Sequence, residues 1–227
     1  MTDLVAQPPE HQPLRAHIER HLGPIADTFV EPASVEPASG APAETRQIAI
    51  QWVKASAERP IHTLITTGMS DRPMRTGPES TAPRLIELMM TLPRTWQFED
   101  PRTDGTGYWP VRLLAQLARH PEEHATWLGW GHTVPNGEPP APYAPGTALC
   151  GIILAPSLLV PKEFYALQAG SRNIEFYAAI PLYQEELQLA AREGMQHLLS
   201  SLIDHGLNDI VEPRRRNITK KRFFGLF

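Results

Sequence analysis

The sequence predicts an α+β fold: one domain in which helices cover a mixed β-sheet. Three observations carry this expectation. Stretches with strand periodicity and stretches with helical periodicity mix along the chain, without the strict alternation of a doubly wound sheet. The 227 residues are 41% hydrophobic and 20% charged, an ordinary globular balance. A chain of this size can bury roughly 70% of its surface, so its core needs no disulfide or metal. The single cysteine, Cys150, sits in an apolar run and reads as a small buried hydrophobe in a reducing compartment.

Each element has its own signal. Residues 1–13 read as a flexible N-terminus and 14–213 as the domain. Leu14, Ile18 and Leu22 form the apolar stripe of a short helix that Gly23 and Pro24 stop. Residues 31–45, with Glu-Pro-Ala-Ser twice, read as an exposed Pro/Ala-rich loop. Gln47 to Lys54 alternate, with Ile48, Ile50 and Trp52 on one strand face. Ile61 to Thr67 and Arg84 to Leu92 read as further strands. Trp109 to His120 form a helix with Pro110 in its first turn, where a missing N–H costs little. Residues 133–146, with five prolines, read as a long loop. Thr147 to Ala155 make an apolar, central strand and Asn173 to Ile180 a fifth. The longest helix is expected from about Pro181 to His205, with Leu187, Ala190, Ala191, Met195, Leu198 and Leu202 inward.

Charge divides the chain unevenly. Residues 214–227 form a basic and aromatic tail, with Arg214, Arg215, Arg216, Lys220, Lys221 and Arg222 followed by Phe223, Phe224, Leu226 and Phe227. Without those six basic residues, 15 basic and 25 acidic residues remain, a net charge of −10. An acidic body disfavours a broad nucleic-acid face, so only the tail could contact nucleic acid or an anionic membrane. The plainer expectation is a tail that is solvated or folded back on the body. Its apolar end is expected to dock on this protein or on a partner. The N-terminus shows no secretory signal, and no apolar stretch is long enough to span a membrane; a cytoplasmic location is expected.

Chemistry-bearing motifs are sparse. No nucleotide-binding glycine loop and no HExxH occurs, and no cofactor or metal is expected. His17 with His21 and His120 with His124 have i, i+4 spacing, but each pair lacks a third ligand. The first pair reads as a wet helix face, the second as lying across a helix boundary at Pro121. Gly68-Met69-Ser70-Asp71-Arg72 approaches a nucleophile elbow but has Arg where Gly is required. A hydrolase-like site of Ser70, Asp71 and His132 is the enzymatic alternative. It requires these side chains to converge in a cleft.

Several ordered motifs point elsewhere. Thr66-Thr67-Gly68-Met69-Ser70-Asp71 with Pro73-Met74 resembles the signature of the Suppressor of fused (SUFU) family. Glu87-Leu88-Met89 with Leu92-Pro93 and Trp96 resembles its strand into "LP..W". Trp109-Pro110, Leu113-Leu114 and Leu117-Ala118-Arg119 resemble its "WP..LL..LAR" helix. Trp127 with Gly131-His132-Thr133, then Pro181-Leu182-Tyr183 with Glu185-Glu186-Leu187, and lastly Arg216-Asn217, follow in order. The resemblance covers roughly residues 14–217 and implies a bacterial single-domain member.

It implies binding rather than catalysis: a non-enzymatic module that holds another protein, such as a basic toxin domain neutralised by an immunity-type member. Animal members capture a short peptide near the segments matching Leu117–His120 and Gly131–Thr133. Arg119, His120, Gly131 and His132 thereby become candidate partner contacts. Thr67, Gly68, Met69, Ser70, Asp71, Trp109 and Pro110 become candidate structural residues. A further alternative is an adaptor that recruits its partner through the tail.

Overall fold

The structure, a computed structural model, describes residues 11–30, 47–77, 80–98 and 106–220. The elements run α1 (Gln12–Leu22), β1 (Ile25–Val30), β2 (Ala49–Val53), β3 (Ile61–Thr67), β4 (Ile86–Pro93), α2 (Trp109–Glu123), β5 (Thr133–Pro135), β6 (Leu149–Ala155), β7 (Ala166–Ala169), β8 (Arg172–Tyr183), α3 (Gln184–Glu193) and α4 (Met195–Asp204). All eight strands join one mixed sheet in the order β1-β2-β3-β4-β8-β6-β5, with β7 paired to β8. β4 and β8 run parallel, and the other pairs are antiparallel. The predicted α+β class with a mixed sheet covered by helices is the class observed.

The sheet is a middle layer, which explains why its strands are apolar on both faces. On one side Ile50, Leu64, Leu88, Met90, Ile152 and Leu154 pack with Leu113, Leu114 and Leu117 of α2. On the other, Ile65, Met89 and Phe176 pack with Leu14, Ile18 and Leu22 of α1. Farther along that side, Ile153 and Leu182 meet Leu198 and Leu202 of α4. Cys150 is buried and free, as expected.

Four readings are corrected. The helix expected from Pro181 to His205 is not continuous. Pro181 and Leu182 belong to β8, where they pair with Ile152 and Gly151, and Gly194 separates α3 from α4 with φ of 88°. An L side chain rarely adopts that φ, so the residue that breaks the helix is a glycine. β1, a half-exposed edge strand, and β5, inside the proline-rich loop, had no strong strand signal. Pro121 lies within α2, so the helix boundary between His120 and His124 falls after Glu123 rather than at the proline; His124 is the C-cap, and the two rings stack at 4.2 Å. His17 is buried rather than wet: its Nε2 lies 3.1 Å from the Phe164 carbonyl oxygen, and its ring stacks on Phe164 and Phe176.

Candidate functional site

The signature segment is a turn built around a buried carboxyl. Strand β3 ends at Thr67, and Gly68 follows with φ of 100°. A side chain at Gly68 is excluded twice, by that φ and by the Gln47 carbonyl oxygen, 2.5 Å from where its Cβ would lie. Met69–Asp71 then make one 3-10 turn that buries Met69 and Ser70. The Ser70 backbone N–H and hydroxyl both donate to Glu87 Oε1, at 3.0 and 2.7 Å. Thr66 Oγ1 donates to Glu87 Oε2 at 2.5 Å and accepts from the Leu88 N–H at 2.8 Å. Glu87 is fully buried, and burial pushes its carboxyl up to about 7 despite these donors.

Asp71 lies outside this carboxyl pocket. His11 Nε2 is 2.9 Å from its Oδ2, and Arg172 is 3.6 Å from its Oδ1. Arg172 also donates to the Ser70 carbonyl oxygen at 2.6 Å. The turn is therefore tied to β4 through Glu87, to β8 through Arg172, and to the residue preceding α1 through His11. Trp109 and Pro110 are buried at the start of α2, and Trp109 stacks on Tyr143 at 5.1 Å.

The Ser70, Asp71 and His132 set is engaged elsewhere. The Ser70 hydroxyl is committed to Glu87, Asp71 to His11 and Arg172, and the His132 ring to Trp127 at 4.1 Å. Ser70 is 1% exposed, which leaves its hydroxyl out of reach of a bound substrate. Among the described residues, no group of three or more His, Cys, Asp or Glu side chains is placed to hold a metal ion.

The expected partner contacts lie on α2 and beside β5. Arg119 and His120 are half-buried in the last turns of α2. Burial, then the neighbouring His124, lowers the His120 pKa and keeps its imidazole neutral near pH 7. Gly131 donates its N–H to the Leu154 carbonyl oxygen at 2.8 Å, and Leu154 donates back to the His132 carbonyl oxygen at 3.0 Å. These bonds carry the β5–β6 pairing one step past the strand, and β5 is the last strand of the sheet. Gly131 has φ of 82°, and a side chain there would overlap the Met195 sulfur of α4. Glycine at this position is a packing requirement.

The family called Suppressor of fused protein (SUFU) matches residues 44–216, more than half of the chain. The chain belongs to the SUFU family. Solved SUFU structures have its fold at low identity. A SUFU homologue from Neisseria gonorrhoeae FA 1090 is 14% identical with a TM-score of 0.64, covering 94% of this chain and 98% of its own. The Sufu–Fu complex contains a chain 15% identical, with a TM-score of 0.61 and coverage of 94% and 93%. Drosophila Suppressor of Fused is 16% identical with a TM-score of 0.53, over 76% of this chain but only 42% of its own. No curated protein matches.

Sequence reasoning about this SUFU domain missed Glu87, His11 and Arg172 as partners of the signature turn. One signal was available for Glu87, an acid inside the apolar run Arg84 to Leu92. It also missed a second buried acid, Glu186, whose carboxylate takes a bidentate pair of bonds from Arg215. Arg215 lies within the tail expected over 214–227, yet it is buried, and Asn217 beside it bonds Glu185 at 2.9 Å. Phe223 to Phe227 lie outside the described residues. Among the described residues, no helix is long and apolar enough to cross a membrane.

Proposed function

We propose that this SUFU domain is a non-enzymatic module that binds another protein at the β5 edge, with the end of α2 as a second point of contact. The observation that carries this reading is the edge itself. β5 spans only Thr133–Pro135, pairs with β6 on one side, and ends the sheet. A short edge strand can accept an extended segment through main-chain hydrogen bonds, while flanking side chains select its sequence. His132 stands at the start of that edge and His120 on the end of α2, the side chains offered for selection; Arg119 completes the helical side. Pro135 lacks an N–H and limits the pairing to a short register. The complex of Sufu with Fu is consistent with a binding role in this family.

The partner fits the charge of the chain. A chain with a net charge of −4 attracts a basic protein and speeds the encounter. A toxin domain of basic charge, neutralised in the cytoplasm of a bacterium, is the partner class we infer. The test is affinity capture with the tagged chain from its source cells, at low and high salt, followed by mass spectrometry. The expected result is one protein in near-stoichiometric yield that is lost at high salt and weakened by His132→Ala. Capture that is unaffected by His120→Ala, His132→Ala and a charge change at Thr133 overturns the placement at β5.

A further inference from the structure

Four large hydrophobic residues stand exposed among the described residues, and three of them share one groove. Trp130 (52% exposed), Leu158 (59%) and Ile203 (56%) line it together with Leu199, Leu202 and Leu207. The groove holds about 220 Å³ between the C-terminal half of α4, Trp130 before β5, and the segment that follows β6. A patch of this kind on a chain that is otherwise charged at its surface is a contact site.

The chain itself holds a segment of matching chemistry. Residues 221–227 read Lys221, Arg222, Phe223, Phe224, Gly225, Leu226 and Phe227. The described part of the chain comes close to the groove at Ile218. Ile218 is buried in the cluster of Leu198 and Leu202, and Leu199 and Leu207 pack against that cluster. Leu199, Leu202 and Leu207 also line the groove. From Leu198 to Ile203 is about 7.5 Å along a helix axis. Seven extended residues reach about 23 Å, enough to cover that distance and enter. The signs of charge agree: α4 ends in the exposed Asp204, beside Ile203, and Lys221 and Arg222 come before the aromatic residues.

We propose that residues 221–227 dock intramolecularly in the Trp130–Leu158–Ile203 groove, placing phenylalanine and leucine side chains against α4. The segment covers an apolar face next to Gly131 and His132, and a partner with a similar aromatic segment would have to displace it.

The first test uses the dye 1-anilinonaphthalene-8-sulfonate with the full chain and with a chain ending at Lys220. The shortened chain binds the dye several-fold more strongly, and a synthetic peptide of residues 221–227 added in trans displaces it. Leu158→Glu and Ile203→Glu in the shortened chain abolish peptide binding. Equal dye binding by the full and shortened chains, or peptide binding indifferent to both substitutions, overturns the proposal.

The second test keeps the full length. Cys150 is buried, so a Leu158→Cys, Phe224→Cys pair supplies the accessible thiols. Under mild oxidation a disulfide within one chain is expected, at a rate well above a control pair with its cysteine at Gln168. A covalent dimer would assign the groove to a second copy, and a rate equal to the control would leave the segment undocked. Either result overturns the proposal.

Discussion

Glu87 and Glu186 are both fully buried, and the protein stabilises them in different ways. Glu87, under the signature turn, is bonded by two hydroxyls and one backbone N–H. Burial drives its pKa up to about 7. Glu186, at the start of α3, faces the Arg215 guanidinium bidentately and accepts the N–H groups of Tyr183 and Ile218 at 3.0 and 3.1 Å. Hydroxyls bond a carboxyl but do not neutralise it, so proton uptake offsets the desolvation. A guanidinium supplies the countercharge, and the pair becomes a clamp. Tyr183 caps α3 with Glu186 and also donates its hydroxyl to the Arg215 carbonyl oxygen, so one cluster sets both where α3 begins and where the following chain is held.

Removing the cation is expected to give the largest effect. Arg215→Ala leaves Glu186 buried without its partner and should cost about 3–5 kcal/mol, read from urea denaturation. Replacing both members, Glu186→Leu with Arg215→Met, should recover part of that loss, because it removes the uncompensated charge but leaves the Tyr183 and Ile218 N–H groups without their acceptor. A double variant as unstable as Arg215→Ala would show that the clamp stabilises in its own right.

The Glu87 site should report through pH. Its folded pKa of about 7 lies above the ordinary 4.5, so the folded state holds the proton more tightly. The stability this provides is complete below pH 4.5 and is lost as pH rises through 7, about 3 kcal/mol in all. Glu87→Gln should flatten that dependence between pH 4.5 and 7. An unchanged slope would assign it to other groups.

Two smaller changes sharpen the contrast. Tyr183→Phe removes the hydroxyl on Arg215 while keeping its ring 5.0 Å from the guanidinium, and should cost roughly 1 kcal/mol in thermal unfolding. Asp71→Asn weakens a partly exposed contact with His11 and should cost less than about 1 kcal/mol. Because the Asp71 charge raises the Glu87 pKa, this variant should also move the stability transition to lower pH. A transition that stays in place would show the two carboxyls to be independent.

Much of the fold was legible. Leu14, Ile18 and Leu22, the strand at Ile61–Thr67 and the helix opening at Trp109-Pro110 carry their periodicity locally, and all appear where expected. Pro181 was misread because a proline before an apolar, acidic stretch is a helix-start signal, and only the pairing of Pro181 with Ile152 across the sheet makes it strand. Gly194 was a legible stop, overlooked because the apolar spacing continues past it. At the candidate site, Gly68 and Met69 were expected to serve the fold, while Glu87, which bonds their neighbours Thr66 and Ser70, was not singled out.

The sequence by itself determined which segments are apolar, where glycine and proline break them, the acidic body, and the ordered motifs of the SUFU family. These are properties of neighbours along the chain. Tertiary structure alone decided that β5 is an edge, that Arg215 belongs to Glu186 and not to the solvent, that Ser70 serves Glu87 and not His132, and that Trp130, Leu158 and Ile203 share a groove. The physical reason is common to all four. A charge, hydroxyl or apolar side chain takes its role from what lies within a few ångströms, and those neighbours come from parts of the sequence that only folding brings together.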